Sequence, residues 1–374
     1  MANPSEPQTG LGAPTGLGGL INMGNTCYAN ATIQAFRHCA KVPWIFEAGR
    51  YNSLFKKEPA EPRAKQQALS ANFAEIVQLL GQCKRGQRVR PADFWAKFGG
   101  AVQDTGFEHL AMKMPHDSHE FYLFMLDTLH ESMAQEVNMR ILKPPPTTDA
   151  ERHVIQALET WKAEFTKKYS PLVDLFYGLQ HVVLRCKACG YCSHRWEVFS
   201  TLKAQVPKGL TEGRAPTLAE MLTAEFQPET IEGYACDKCA PKRTEAEKTV
   251  SLWRLPLNLV VVLKRFTMDG RKIGTPCAAI ETFDFGPYFS AESPERAGST
   301  GYALHSIVDH HGGMHGGHYT AQCQRPNGEW LLYDDEGVAA EGSGAPPMPF
   351  FGSSTYMLFF TRGQAQQQQK APEA

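Results

Sequence analysis

The chain reads as an α+β protein, and three observations carry that reading. Apolar residues at helical spacing are concentrated before residue 175, β-branched and alternating runs follow it, and two Cys-x-x-Cys pairs stand far apart in the second half. With 374 residues, 42% of them hydrophobic, the chain can bury a large core. Its 38 basic and 39 acidic residues leave no field for nucleic acid or a membrane surface. The longest strongly apolar stretch, Leu257 to Leu263, is far too short to span a bilayer, and no basic segment followed by an apolar core opens the sequence. These features predict a soluble protein kept inside the cell, in cytoplasm or nucleus. Ten cysteines in such a chain favour metal binding over oxidation where they come in close pairs.

Taken in order, residues 1–18 are rich in Gly, Pro and Thr and lack periodicity, which predicts a disordered start. Gly24-Asn25-Thr26 is a small-residue turn that gives way to a helix at Cys27, with Ala31, Ile33, Ala35 and Phe36 as its apolar positions and Lys41-Val42-Pro43 as its stop. Unpaired N–H groups at a helix start favour an ionised thiol, so Cys27 is a candidate nucleophile. The same donors, with the side-chain amide of Asn22, could hold an oxyanion. On this segment alone a half-buried structural cysteine would read the same way. Residues 51–65 read as a surface loop, Asn72 to Leu80 as a helix, and Pro91 as the start of another.

Asp117 precedes a helix with Glu120 three residues on, a capping arrangement, and Thr148 with Glu151 forms a second one. Strand patterns follow at Leu179 to Leu184 and from Trp196 through Leu202, and Thr217 with Glu220 opens a short helix. Cys186-x-x-Cys189 and Cys236-x-x-Cys239 can close a tetrahedral four-sulfur site; either pair alone could be a redox pair, whereas both together favour structural zinc. Cys192 is a decoy ligand on this reading. Leu255 to Phe266 suits a central strand. Four further runs, Tyr302 to Val308, His318 to Gln324, Glu329 to Tyr333 and Tyr356 to Thr361, predict an antiparallel sheet carrying His318 and Asp334 on neighbouring strands. His310, His311, His315 and His318 fall in a glycine-rich loop and could be a metal tract, but no acid or cysteine within the loop completes one. The glutamine-rich residues 363–374 read as a disordered tail.

Two of these segments are specific. Asn22-x-Gly-Asn-Thr-Cys27-Tyr28 with Gln34 resembles the cysteine box of the ubiquitin-specific proteases, and His310-x-Gly…Gly317-His318-Tyr319 with Trp330-x-x-Tyr333-Asp334-Asp335 resembles their histidine box. The resemblance implies a papain-like cysteine protease over residues 19–362: a helical thumb (about 19–175), zinc-tipped β fingers (about 176–250) and an antiparallel β palm (about 251–362). It implies Cys27 as nucleophile, His318 as base, Asp334 as its orienting partner, Asn22 as oxyanion donor, and Asp335 as a second acid able to share the orienting role. Asp117 and Glu120 would face the basic tail of ubiquitin, with Tyr28, Gly317 and Tyr319 beside it; Pro115-His116 replaces the family's paired glutamines there. The implied cofactor is structural Zn²⁺ on Cys186, Cys189, Cys236 and Cys239. The implied partners are ubiquitin and ubiquitinated proteins, with room for an activating or targeting partner. Two other readings are a ubiquitin receptor that kept the fold, which should have lost a triad member, and a protease for a ubiquitin-like modifier that also ends in Gly-Gly.

Overall fold

The computed structural model describes residues 16–46, 49–313, 316–340 and 348–363. The helical half contains α1 (Cys27–Arg37), α2 (Val42–Phe46), α3 (Arg63–Gln82), α4 (Ala92–Ala101), α5 (Ser118–Met133), α6 (Asp149–Phe165) and α7 (Leu172–Phe176). A short parallel pair, β1 (Gly19–Leu20) with β2 (Arg88–Val89), ties the first described residues to the segment after α3. The helix placed at residues 72–80 extends back to Arg63, because Leu69 and Phe73 continue the buried stripe of Ile76, Val77 and Leu80. That removes the end of the loop read at 51–65, whose start holds a 3₁₀ turn, Arg50–Leu54. The capping box at Thr148 forms as the sequence predicts, with Thr148 Oγ accepting from the Glu151 N–H at 3.2 Å.

The β half splits into two sheets. Strands β3 (Gly178–Cys186), β4 (Cys192–Phe199), β6 (Glu229–Tyr234) and β7 (Thr244–Arg254) form an antiparallel sheet in the order β4-β3-β7-β6. The larger sheet joins β5 (Thr201–Ala204), β8 (Asn258–Leu263), β10 (Gly301–Gly313), β11 (Gly316–Gln324), β12 (Trp330–Asp334), β13 (Gly337–Ala340) and β14 (Thr355–Arg362) in the order β13-β12-β11-β10-β14-β8-β5, with β9 (Thr282–Asp284) on β10. The single strand read from Trp196 through Leu202 is two: the chain leaves the first sheet at Phe199 and re-enters the second at Thr201, where it pairs parallel with β8. Alternation continues across the break, so the sequence pattern could not show it. Helix α8 (Leu218–Glu225), opened by the predicted capping box at Thr217, covers β5.

Strand β8 explains its own composition. Val260 and Val262 face a core shared with α1, α3, α4 and α5, while Leu259, Val261 and Leu263 face a second core on the other side. A strand buried on both faces reads as a continuous β-branched run. The third core is small, with Trp161 and Phe165 of α6 against Trp196 and Trp253, and it seats α6 on the base of the four-stranded sheet.

Two expectations about loose segments need correction. Within the stretch read as disordered, Leu17 N–H donates to Cys83 O at 2.9 Å, and Gly18 O accepts from Gln34 Nε2 at 3.0 Å. Buried side chains of α1 need these carbonyls as partners. Gly363 N–H likewise donates to Gly301 O, so order extends to it; residues 1–15 and 364–374 lie outside the described residues. The glycine-rich segment is the end of the β10–β11 hairpin rather than a loop, with His311 opposite His318 and Gly312 at φ +101°. His315 lies outside the described residues.

Candidate active site

Helix α1 is buried all round, from Cys27 to Arg37. Its polar side chains must therefore find partners inside the protein. Thr32 donates to Tyr28 O, Gln34 to Gly18 O, and Arg37 to Gln34, Gly16 O and the Tyr333 hydroxyl. Asn30 donates to Asp335 Oδ1 at 2.8 Å. The helix packs against β11, which brings its first residue, Cys27, under the segment that begins with His318.

Cys27 sits 6% exposed at the N-terminus of α1. Backbone N–H groups near the thiol, that of Tyr319 foremost, favour the thiolate. Burial is the larger influence, and the Asp335 carboxylate adds to it, so the thiol is pushed up rather than down. The helix start contributes in the direction the sequence predicts but is outweighed. A thiol in this state needs a base at the moment it attacks.

His318 Nε2 and Asp334 Oδ1 lie 2.5 Å apart, leaving Nδ1 as the ring's other nitrogen. The imidazole is accessible, at 43% of its side-chain surface. A carboxylate on one ring nitrogen fixes the tautomer that makes the other a proton acceptor. Asp335 is placed differently. Its Oδ2 accepts from Asn22 Nδ2 at 2.8 Å and its Oδ1 from Asn30 Nδ2. It also adopts φ +47° in the turn between β12 and β13 and takes the Leu20 N–H on its carbonyl. The hydrogen bond to His318 therefore comes from Asp334, whereas Asp335 pairs with amides on the α1 side.

A cleft of about 440 Å³ leads toward this corner, lined among others by Asp117, Glu120, Gly317, Tyr319 and Tyr356. Gly317 has to be glycine, since a Cβ there would fall inside the van der Waals surface of His310 Nε2 and His311 O. The two acids are not equivalent. Asp117 caps α5, Oδ1 accepting from the His119 N–H at 2.6 Å, and Oδ2 accepts from the Tyr356 hydroxyl at 2.7 Å. Burial raises its carboxyl despite those bonds. Glu120 is open to the cleft and 2.9 Å from His109 Nε2. The Tyr28 ring is 2% exposed and packs edge-on against Trp95, His116 and Phe121, which makes it core rather than cleft wall. Sequence reasoning missed Asn30, His109 and Tyr356. Asn30 had a signal, because it lies three residues beyond Cys27 on the same helical face.

At the far end of the four-stranded sheet, Cys186, Cys189, Cys236 and Cys239 converge with their sulfurs within 4.8 Å of one another. The Cys186–Cys239 and Cys189–Cys236 separations are 3.9 and 3.6 Å. Four thiolates at about 2.3 Å from a tetrahedral zinc would stand about 3.8 Å apart, so the donor set and spacing fit that ion. Cys192 turns its sulfur to Gly190 O instead, as a decoy should. All ten cysteines are unpaired.

Fold and site together define a cysteine-protease architecture of helical thumb, β palm and β fingers. The family model described as "Ubiquitin carboxyl-terminal hydrolase" matches residues 18–360, and the chain belongs to that family. It is 28% identical over 373 residues to "Ubiquitin carboxyl-terminal hydrolase 21" of Homo sapiens, covering 91% of this chain and 61% of that protein. Identity is also 28% over 376 residues to "Ubiquitin carboxyl-terminal hydrolase 4" of Candida glabrata, covering 92% and 40%. The chain thus spans less than two thirds of these relatives. Among solved structures, the SAGA Ubp8/Sgf11/Sus1/Sgf73 DUB module bound to ubiquitin aldehyde contains a chain of the same fold. It superposes with a TM-score of 0.67 at 21% identity, over 94% of this chain and 71% of that one.

Proposed function

We propose that the protein is a thiol-dependent deubiquitinase that cleaves the isopeptide or peptide bond after the C-terminal glycine of ubiquitin. One observation carries this: Cys27 opens a buried helix packed against β11, the strand on which His318 stands with its imidazole held by Asp334. On this reading Nδ1 of His318 takes the Cys27 proton as sulfur attacks the carbonyl carbon, which is consistent with a thiol that burial keeps protonated. The oxyanion is met by the Asn22 amide and N–H groups at the start of α1. His318 then gives its proton to the departing lysine amine, leaving a thioester. Water, deprotonated by His318, attacks the thioester carbonyl and releases ubiquitin and the thiol.

Substrate selection would follow from the cleft. Gly317 lines it without a side chain, which suits passage of a Gly-Gly terminus, and Glu120 offers a carboxylate to a basic tail. The fingers would hold the globular body of ubiquitin, their tip bound by structural zinc on Cys186, Cys189, Cys236 and Cys239. On the same reading the chain works inside the cell, residues 19–362 act as one catalytic unit, and partner subunits are expected by analogy with the SAGA Ubp8/Sgf11/Sus1/Sgf73 DUB module.

Hydrolysis of a fluorogenic ubiquitin conjugate by the wild type and by Cys27→Ser tests the proposal. Turnover by the wild type alone supports it, and turnover by the variant overturns it. Parallel assays with ubiquitin-like proteins ending in Gly-Gly identify the modifier. Binding of ubiquitin with no turnover by the wild type would instead favour a receptor.

A further inference from the structure

The oxyanion amide proposed above has a supporting network that the reaction scheme leaves unused. Asn22 Oδ1 accepts three bonds from its own loop: Gly24 N–H at 2.9 Å, Thr26 N–H at 3.2 Å and the Thr26 hydroxyl at 3.2 Å. Its Nδ2 donates to Asp335 Oδ2 at 2.8 Å. With two backbone N–H donors and a hydroxyl on one side and a carboxylate on the other, the amide has one orientation, since flipping it would lose the bonds to Gly24 N–H, Thr26 N–H and Asp335. A planar amide with one N–H on Asp335 aims its second N–H in a fixed direction. What fixes Asp335 therefore fixes the donor.

Among the described residues, one further side chain holds Asp335 from the α1 side. Asn30 is 2% exposed, stands one helical turn beyond Cys27, and spends an N–H on Asp335 Oδ1 at 2.8 Å, with a longer bond to Leu20 O at 3.3 Å. A buried amide in this position is costly unless paired, and its Oδ1 has no hydrogen-bond partner among the described residues. Asparagine thus stands at a site where an apolar residue would pack without an orphaned atom. The turn that carries Asp335 belongs to the sheet and Asn22 and Asn30 to the helical side, so the network also registers one half of the active corner against the other.

We propose that Asn30 is a positioning residue for transition-state stabilisation: through Asp335 it aims the Asn22 amide at the developing oxyanion. This rests on the reading of Asn22 as oxyanion donor. At 2% exposed, Asn30 is closed to a substrate in the cleft, and its side-chain bonds go to Leu20 O and Asp335 Oδ1.

The test compares Asn30→Ala, Asn22→Ala and the double variant in kcat and KM on a fluorogenic ubiquitin conjugate. Two further readouts are affinity for ubiquitin aldehyde, whose hemithioacetal oxygen occupies the oxyanion position, and the rate of Cys27 alkylation by iodoacetamide. Loss of one oxyanion donor costs about 100-fold or more in kcat, and misaiming it should cost about tenfold. Asn30→Ala should therefore lower kcat and aldehyde affinity by similar factors. KM and the affinity for unmodified ubiquitin should stay within about twofold, and alkylation should not slow, since it makes no oxyanion. The double variant should be no worse than Asn22→Ala, because both act on one donor. Losses that multiply in the double variant, or aldehyde affinity unchanged in Asn30→Ala, overturn the proposal. If Asn22→Ala itself leaves aldehyde affinity intact, the oxyanion reading fails and this inference with it. Asn30→Asp, which sets a carboxylate against Asp335 in the same volume, guards against a folding artefact: it should show the same kcat-specific loss, and wild-type kcat in a folded Asn30→Asp protein also overturns the proposal.

Discussion

The active corner and the tip of the fingers are both assembled from residues far apart in sequence, yet they are held by different forces. Behind Cys27 lies a helix with no exposed residue, packed in a core with Tyr319, Ala321 and Tyr333 of the sheet. At the other site β6 has no buried residue, and burial near the sulfurs is confined to a few positions such as Cys186, Cys236, Thr244 and Ala246. Hydrophobic burial can stabilise the corner without any ligand, whereas the fingertip has too little apolar surface to order itself. The corner is thus free to carry strained and accessible groups, such as Asp335 at φ +47° and an open His318, whereas on the zinc reading the fingertip would depend on an ion held by its four sulfurs.

The largest expected effects separate the two sites. Cys27→Ser should reduce turnover on the order of 10⁴-fold or more while the melting temperature stays put, as monitored by fluorogenic assay and thermal scanning. Cys186→Ser or Cys239→Ser should do the reverse: elemental analysis should fall from about one zinc per chain toward none, and the fingers should lose protection from hydrogen exchange. A metal-free protein with full protection would end the contrast.

Next in size is the division of labour between adjacent aspartates. Asp334→Asn should depress kcat by about 10³-fold or more through the imidazole. Asp335→Asn should spare the orientation of His318 and lose aldehyde affinity instead. Equal losses by the same readout would erase the distinction drawn from their bonds.

A smaller effect concerns the thiol. Burial and Asp335 raise Cys27, so in His318→Ala its thiolate fraction at neutral pH should be lower than that of a free cysteine, and alkylation should accelerate only above the ordinary thiol range. A midpoint below that range would mean the helix start outweighs burial. Smallest is Tyr356→Phe, which removes a hydrogen bond to half-buried Asp117 and should cost about 1 kcal/mol in denaturant unfolding with little change in kcat.

Much of this was legible in the sequence where local chemistry decides structure. Thr148 and Thr217 announced their capping boxes, β8 its central place in a sheet, and the two cysteine pairs their convergence. The boxes around Cys27 and His318 carried the site. What escaped depends on partners distant in the chain. Nothing near Asp335 says that its oxygens meet Asn22 and Asn30, 313 and 305 positions away. The net direction of the Cys27 thiol depends on how deeply α1 is buried, which its sequence, with Asn30, Thr32, Gln34 and Arg37, disguises. The break at Ser200 leaves the alternation of apolar residues intact, so one strand and two strands look the same.

The most direct test is to react the full chain with ubiquitin carrying an electrophile at its C-terminus and to map the modified peptide by mass spectrometry. The account predicts one adduct, on Cys27, absent from Cys27→Ser and greatly slowed in His318→Ala. An adduct on another of the ten cysteines, or none on a folded protein, would contradict it.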